Sequence, residues 1–134
     1  MPTPRPDLAV FLDANLPPFS SQRIDLGVSD VSRIDRDMRI VASDAEIFEN
    51  LERYAIQHQV TVILFTRDRT FRLDAKKDSD RVRVVVLQEW HNLIPEVVAV
   101  GDMNSDDLAR VIRQIFFFSF NPPASLRRQP SFVA

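Results

Sequence analysis

The chain contains no cysteine. That excludes a disulfide framework, a thiolate zinc site and a cysteine nucleophile, and it fits a reducing compartment. Long apolar runs are missing too: the apolar stretches Val60 to Phe65 and Val82 to Leu87 fall far short of the ~20 residues a helix needs to cross a bilayer. No charged-then-apolar leader opens the sequence. A soluble, unprocessed, cytoplasmic protein with no membrane association is therefore expected. An excess of one charge is also lacking. A formal net charge of -2 creates no overall basic field, so nucleic acid would have to be held by a local basic patch.

What is present suits a single core. A chain of 134 residues with 45% hydrophobic content has the size of one domain. The proline-rich opening, residues 1–7, reads as an extended lead-in, 8–120 as the domain, and the basic, proline-containing stretch 121–134 as a flexible tail.

Leu8-Ala-Val-Phe-Leu12 is a continuous apolar run that stops at Asp13-Ala-Asn15 and a proline pair, the pattern of a buried strand ending in a polar loop. From Phe19 to Ala42 the apolar residues fit neither period well; a short helix near Ser20 to Leu26 and a strand near Val28 to Ile34 are the best assignments. Ser43-Asp-Ala-Glu46 is a capping box. Behind it Ile47, Leu51, Tyr54, Ala55 and His58 recur at helical spacing, so Asp44 to Gln59 should be a helix packed on a sheet. Val60 to Phe65 is a β-branched strand bounded by Thr66-Arg-Asp68, and Arg81 to Leu87 repeats the type. The polar segment 69–80 between them reads as a loop or short helix, a plausible substrate-contact segment. Val97 to Val100 is either a short strand or the approach to a last helix, capped by Ser105 and running from Asp106 to Phe117.

Strands alternating with helices predict an α/β fold with a parallel sheet, and in such sheets ligands bind beyond the carboxyl ends of the strands. Asp13 and Asp68 both fall there. Two such acids are commonly reconciled by a hard divalent cation, Mg²⁺ or Mn²⁺ given oxygen-only ligands, which can activate water against a phosphodiester. Each acid alone is more often a turn-capping group; it is their joint placement at strand ends that brings the metal-binding reading forward beside the structural one. Glu46 and Asp44 are explained by the helix cap and dipole, yet a helix start facing the sheet's carboxyl edge would offer a further ligand. Asn15 would orient Asp13 or bind phosphate, and Arg67, Arg69 and Arg72 would supply the basic patch or form a solvated loop that balances the nearby acids. Trp90 and the run Phe116 to Phe118 suit a core, or, where exposed, a dimer contact or base stacking. His58 and His91 stand too isolated for a zinc site.

Three motifs in order, Phe11-Leu-Asp-Ala-Asn-Leu-Pro-Pro18, Ser43-Asp-Ala-Glu-Ile47 and Phe65-Thr-Arg-Asp68 with Phe71, resemble the compact PIN-like domains of bacteria and archaea, relatives of the ribonucleases of toxin–antitoxin pairs. The resemblance covers about residues 8 to 90. It implies a three-layer, Rossmann-like fold and cleavage of single-stranded RNA at a Mg²⁺ or Mn²⁺ centre. Position by position, Asp13 matches the first-strand acid, Asp44 and Glu46 the acidic helix start, Asp68 the acid of the threonine–arginine–aspartate motif and Asn15 the polar residue beside the first acid. Asp13, Glu46 and Asp68 are then the expected catalytic acids, Asp13, Asp44, Glu46 and Asp68 the expected metal ligands, and Asn15, Thr66, Arg67 and Arg69 the expected substrate contacts. An antitoxin protein and a second copy of the chain are the implied protein partners. The family usually carries a further aspartate two residues after the last one, where this chain has Thr70. That departure favours the alternative of a catalytically weakened module that acts by binding RNA or protein. A receiver-like signalling domain also places an aspartate at a strand end, but Asp13 has no adjacent acid and no lysine ends the Arg81 to Leu87 strand.

Overall fold

The computed structural model describes residues 5–17, 26, 28–34, 43–71 and 80–120. Strand β1 (Arg5–Leu12) lies between β2 (Val28–Arg33) and β3 (Thr61–Thr66), and β4 (Val82–Val86) continues the sheet beyond β3. All pairs are parallel, in the order β2-β1-β3-β4. The strand character of each run follows from its β-branched and aromatic content. β3 is buried along nearly its whole length because it is covered on both faces, whereas β4 alternates buried and half-buried residues, which is why the first reads as a continuous apolar run. The β1 strand begins already at Arg5 rather than at Leu8. Its register against β2 shifts between Arg5 and Ala9, the stretch that contains Pro6, a residue with no N–H to give the ladder.

Helix α1 (Asp44–His58) joins β2 to β3, and helix α2 (Ser105–Phe120) closes the described chain. Two cores result. On one face Phe48, Leu51 and Ala55 of α1 pack with Val62, Leu64, Val84 and Phe71. On the other, Leu108, Ile112 and Ile115 of α2 pack with Leu8, Val10, Leu12, Ile63 and Phe65. Successive residues of β1 and β3 therefore enter opposite cores, as a pleated strand requires, and the fold is a three-layer, Rossmann-like α/β arrangement. Each large side chain sealed in these layers, such as Phe48 or Phe65, contributes about 1.5–3 kcal/mol by burial.

The capping box forms at the start of α1: Ser43 Oγ accepts from the Glu46 amide at 3.2 Å, and the Glu46 carboxylate accepts from the Ser43 hydroxyl. The carboxylate thus meets the hydroxyl rather than the Ser43 backbone. Gln59 ends the helix in the left-handed region, at φ 54°. Two expectations are corrected nearer the C-terminus. Val97 to Val100 is neither a strand nor the start of the last helix but part of a 3-10 helix, Pro95–Asp102, preceded by another over Leu87–Trp90; Val97 and Val100 recur at its three-residue turn and point into the core. The cap of α2 is Asn104, whose side chain accepts from the Asp107 amide at 2.9 Å, rather than Ser105. The helix near Ser20 to Leu26, most of the polar segment after Phe71, and the tail 121–134 lie outside the described residues.

Candidate active site at the ends of the central strands

The chain passes from β1 outward to β2 and then returns, over α1, to β3 on the other side of β1. The strand order therefore reverses between β1 and β3, and it is outside the carboxyl ends of strands at such a point that open parallel sheets bind ligands. Asp13 follows β1, and Thr66 is the last residue of β3. The Asp13 amide extends the ladder by donating to the Phe65 carbonyl at 2.9 Å. Both residues are fully buried.

Burying a carboxylate demands donors aimed at it. Ala14 supplies its amide to Oδ1 at 2.7 Å and Thr66 its hydroxyl to Oδ2 at 2.6 Å. The direction of the second bond is fixed by the groups around it. Arg67 N donates to Asn15 Oδ1 at 3.2 Å, which sets the orientation of the amide, so Asn15 Nδ2 faces Thr66 Oγ1, also at 3.2 Å, as a donor. The Asp68 amide donates to the same oxygen at 3.0 Å. With its lone pairs taken by two N–H groups, the Thr66 hydroxyl has only its proton left to give, and Asp13 receives it. Arg67, Asn15, Thr66 and Asp13 form one directed chain of hydrogen bonds that ends on a carboxylate.

Thr66, expected among the substrate contacts, is sealed from solvent, with its hydroxyl bonded to Asp13, Asn15 and the Asp68 amide. Asn15 reaches Asp13 only through the Thr66 hydroxyl. Arg33 was missed altogether. From the end of β2 its guanidinium donates to the Leu16 carbonyl at 2.9 Å and to the Ala14 carbonyl at 3.4 Å, bracing the loop that carries Asp13.

Asp68 behaves differently. Its Oδ1 accepts from the Thr70 amide at 2.9 Å and from the Thr70 hydroxyl at 2.7 Å, a local turn of the kind a short acid favours. Asp44 is half-buried and Glu46 exposed at the start of α1. That helix start lies toward the carboxyl edge, because α1 is the crossover that carries the chain from the end of β2 back to the start of the parallel strand β3. Arg67 is half-buried and donates through Nη1 to the Asn15 carbonyl at 3.3 Å, while Arg69 is exposed.

The oxygen donors of this edge, carboxylate, hydroxyl and amide, have the chemistry a hard divalent cation takes. Among the described residues, however, no group of three or more acids and histidines is gathered to hold a metal ion. Asp13 follows β1 directly, Asp68 lies two residues beyond β3, and Asp44 and Glu46 lie in the first turn of α1. Comparison with models of known families, with curated proteins and with solved structures found no match. The likeness to PIN-like domains consequently rests on the three short motifs. Among the described residues no helix is long and apolar enough to cross a membrane.

Proposed function

We propose that the chain is a metal-dependent ribonuclease of the PIN-like type, cutting single-stranded RNA at the carboxyl edge of the sheet. The observation that carries this reading is the buried Asp13 carboxylate at the point where the strand order reverses, oriented by a directed chain of donors. Such a network costs desolvation of several polar groups and is worth keeping where one carboxylate must hold a fixed direction. Bound Mg²⁺ or Mn²⁺, with Asp13 as central ligand and Asp68, Glu46 and Asp44 as further ones, would supply Lewis acidity toward a phosphodiester and its attacking water. The chain's own residues do the rest. Thr66 and Asn15 hold Asp13 in place, Arg33 holds the loop beneath it, and Arg67 and Arg69 offer positive charge to the RNA backbone. A toxin role would add an antitoxin partner or a second copy of the chain, for which Phe117, 52% exposed on α2, offers apolar surface.

A second reading is a PIN-like module that binds RNA or protein without cutting. The Thr70 amide and hydroxyl, both on one oxygen of Asp68, favour it, since they turn that acid toward its own loop. Labelled single-stranded RNA incubated with Mn²⁺ separates the two. Cleavage by the wild-type protein, lost in folded Asp13→Asn and Asp68→Asn variants, is the expected result. Equal residual activity in all three proteins would mark a contaminant, and binding without cleavage would leave the second reading.

A further inference from the structure

Arg67 holds its charge in an unusual setting. Its Nη1 donates to the Asn15 carbonyl, its Nε is buried with no hydrogen-bond partner, and among the described residues no acid pairs with it. An arginine at a surface edge ordinarily extends into water and keeps all its donors hydrated, and a buried donor left unmatched is costly enough to require a reason. What confines it is Gly101, near the end of the 3-10 helix Pro95–Asp102. A β-carbon placed at Gly101 would come within 2.6 Å of Arg67 Nη1, 2.9 Å of Cζ and 3.0 Å of Nη2. The guanidinium therefore fills the space a side chain at position 101 would occupy.

We propose that Arg67 and Gly101 form a phosphate subsite beside Asp13, with Arg67 as the contact to one phosphate of a single-stranded RNA and Gly101 as the residue that positions it. The proposal rests on the reading of an RNA substrate given above and adds to it the role of a segment outside the three motifs. The chemistry is direct. An unbalanced guanidinium, locked at Nη1 by the carbonyl of Asn15, stands next to the residues that orient the buried acid, so a phosphate bound there places the adjoining backbone at the carboxyl edge of the sheet. A planar guanidinium held in one orientation also loses little freedom on binding an anion.

Gly101→Ala separates positioning from folding. Gly101 does not lie in the left-handed region, and the atoms its new methyl would meet are the far end of a flexible side chain, so the guanidinium moves and the backbone stays. The test is fluorescence anisotropy of a labelled single-stranded RNA oligonucleotide, without metal and across a salt series, with wild type, Arg67→Ala, Gly101→Ala and the double variant, each checked by thermal denaturation. Both single variants should weaken binding by roughly tenfold, the effect of losing one charge-assisted contact of about 1.4 kcal/mol. Each should also flatten the salt dependence by about 0.7 in slope, one phosphate's share on a single strand. The double variant should be no weaker than Arg67→Ala. A Gly101→Ala protein that binds as wild type while Arg67→Ala does not, an additive double variant, or RNA binding indifferent to Arg67 would each overturn the proposal, as would a wild-type protein that does not bind the oligonucleotide. Loss of the ribonuclease reading looks different: binding and its dependence on Arg67 and Gly101 persist, with no cleavage in Mn²⁺.

Discussion

Thr66 gives its hydroxyl proton to the Asp13 carboxylate across 2.6 Å, from the end of one central strand to the first residue beyond its parallel neighbour. The bond ties the two motifs read separately from the sequence into one unit, and its direction is set by the N–H groups of Asn15 and Asp68 that occupy the remaining positions of the hydroxyl.

Replacing Thr66 with valine keeps the shape and removes the hub. Asn15 Nδ2, the Asp68 amide and Asp13 Oδ2 all lose a partner, Asp13 in a fully buried position. A loss of about 1–3 kcal/mol is expected from the unmatched buried group alone. Urea denaturation measures it, and a variant as stable as wild type would show that the network does not hold the two strand ends together.

Thr70→Asp takes away the hydroxyl that binds Asp68 and puts a carboxylate where the PIN-like motif has one. On the proposed function, Mn²⁺ affinity measured by calorimetry should rise and cleavage of single-stranded RNA should increase with it. Unchanged affinity would count against Asp68 as a metal ligand.

Gln59 ends α1 at φ 54°, a conformation that costs a residue with a β-carbon about 1–2 kcal/mol. Part of that is returned as extra freedom of glycine in the unfolded chain. Gln59→Gly should therefore stabilise the protein by up to about 1 kcal/mol. A fall in the denaturation midpoint would mean that the Gln59 side chain makes a larger contribution than its backbone strain.

Tyr54 packs edge-on against Phe11 and stacks on His58, and its hydroxyl lies 3.4 Å from Asp30 Oδ2. Burial, then the charge of Asp30 and the hydrogen bond to it, push the phenol above its ordinary value of 10.0. The folded state thus holds the phenolic proton more tightly than the unfolded chain does. The stabilisation is complete below the unfolded value and is lost as pH rises through the folded one. Denaturation followed from neutral pH to beyond about pH 10 should show stability falling on the alkaline side, with a shallower fall in Tyr54→Phe. Identical alkaline slopes in the two proteins would remove the Tyr54–Asp30 pair as the cause.

The candidate site was legible in unequal parts. Asp13 was readable because an apolar run that ends on an acid marks a strand end, and ligand crevices form at strand ends. The role of Thr66 was not, since nothing in Phe65-Thr-Arg-Asp68 says that the threonine faces the acid of another strand. Arg33 was hidden for a similar reason. It works on carbonyls of a loop far from it in sequence, and carbonyls leave no mark in a sequence.

Local physics in the sequence determined the strands near Leu8 to Leu12, Val60 to Phe65 and Arg81 to Leu87, found at Arg5–Leu12, Thr61–Thr66 and Val82–Val86, the capped helix from Asp44, and hence the parallel α/β class, because burial pattern, β-branching and capping act between near neighbours. The tertiary structure alone decided the strand order, the hydrogen bond from Thr66 to Asp13, and the placing of Gly101 against Arg67. Those depend on which distant segments share a few ångströms of space, and two residues that meet only after folding need have no recognisable spacing before it.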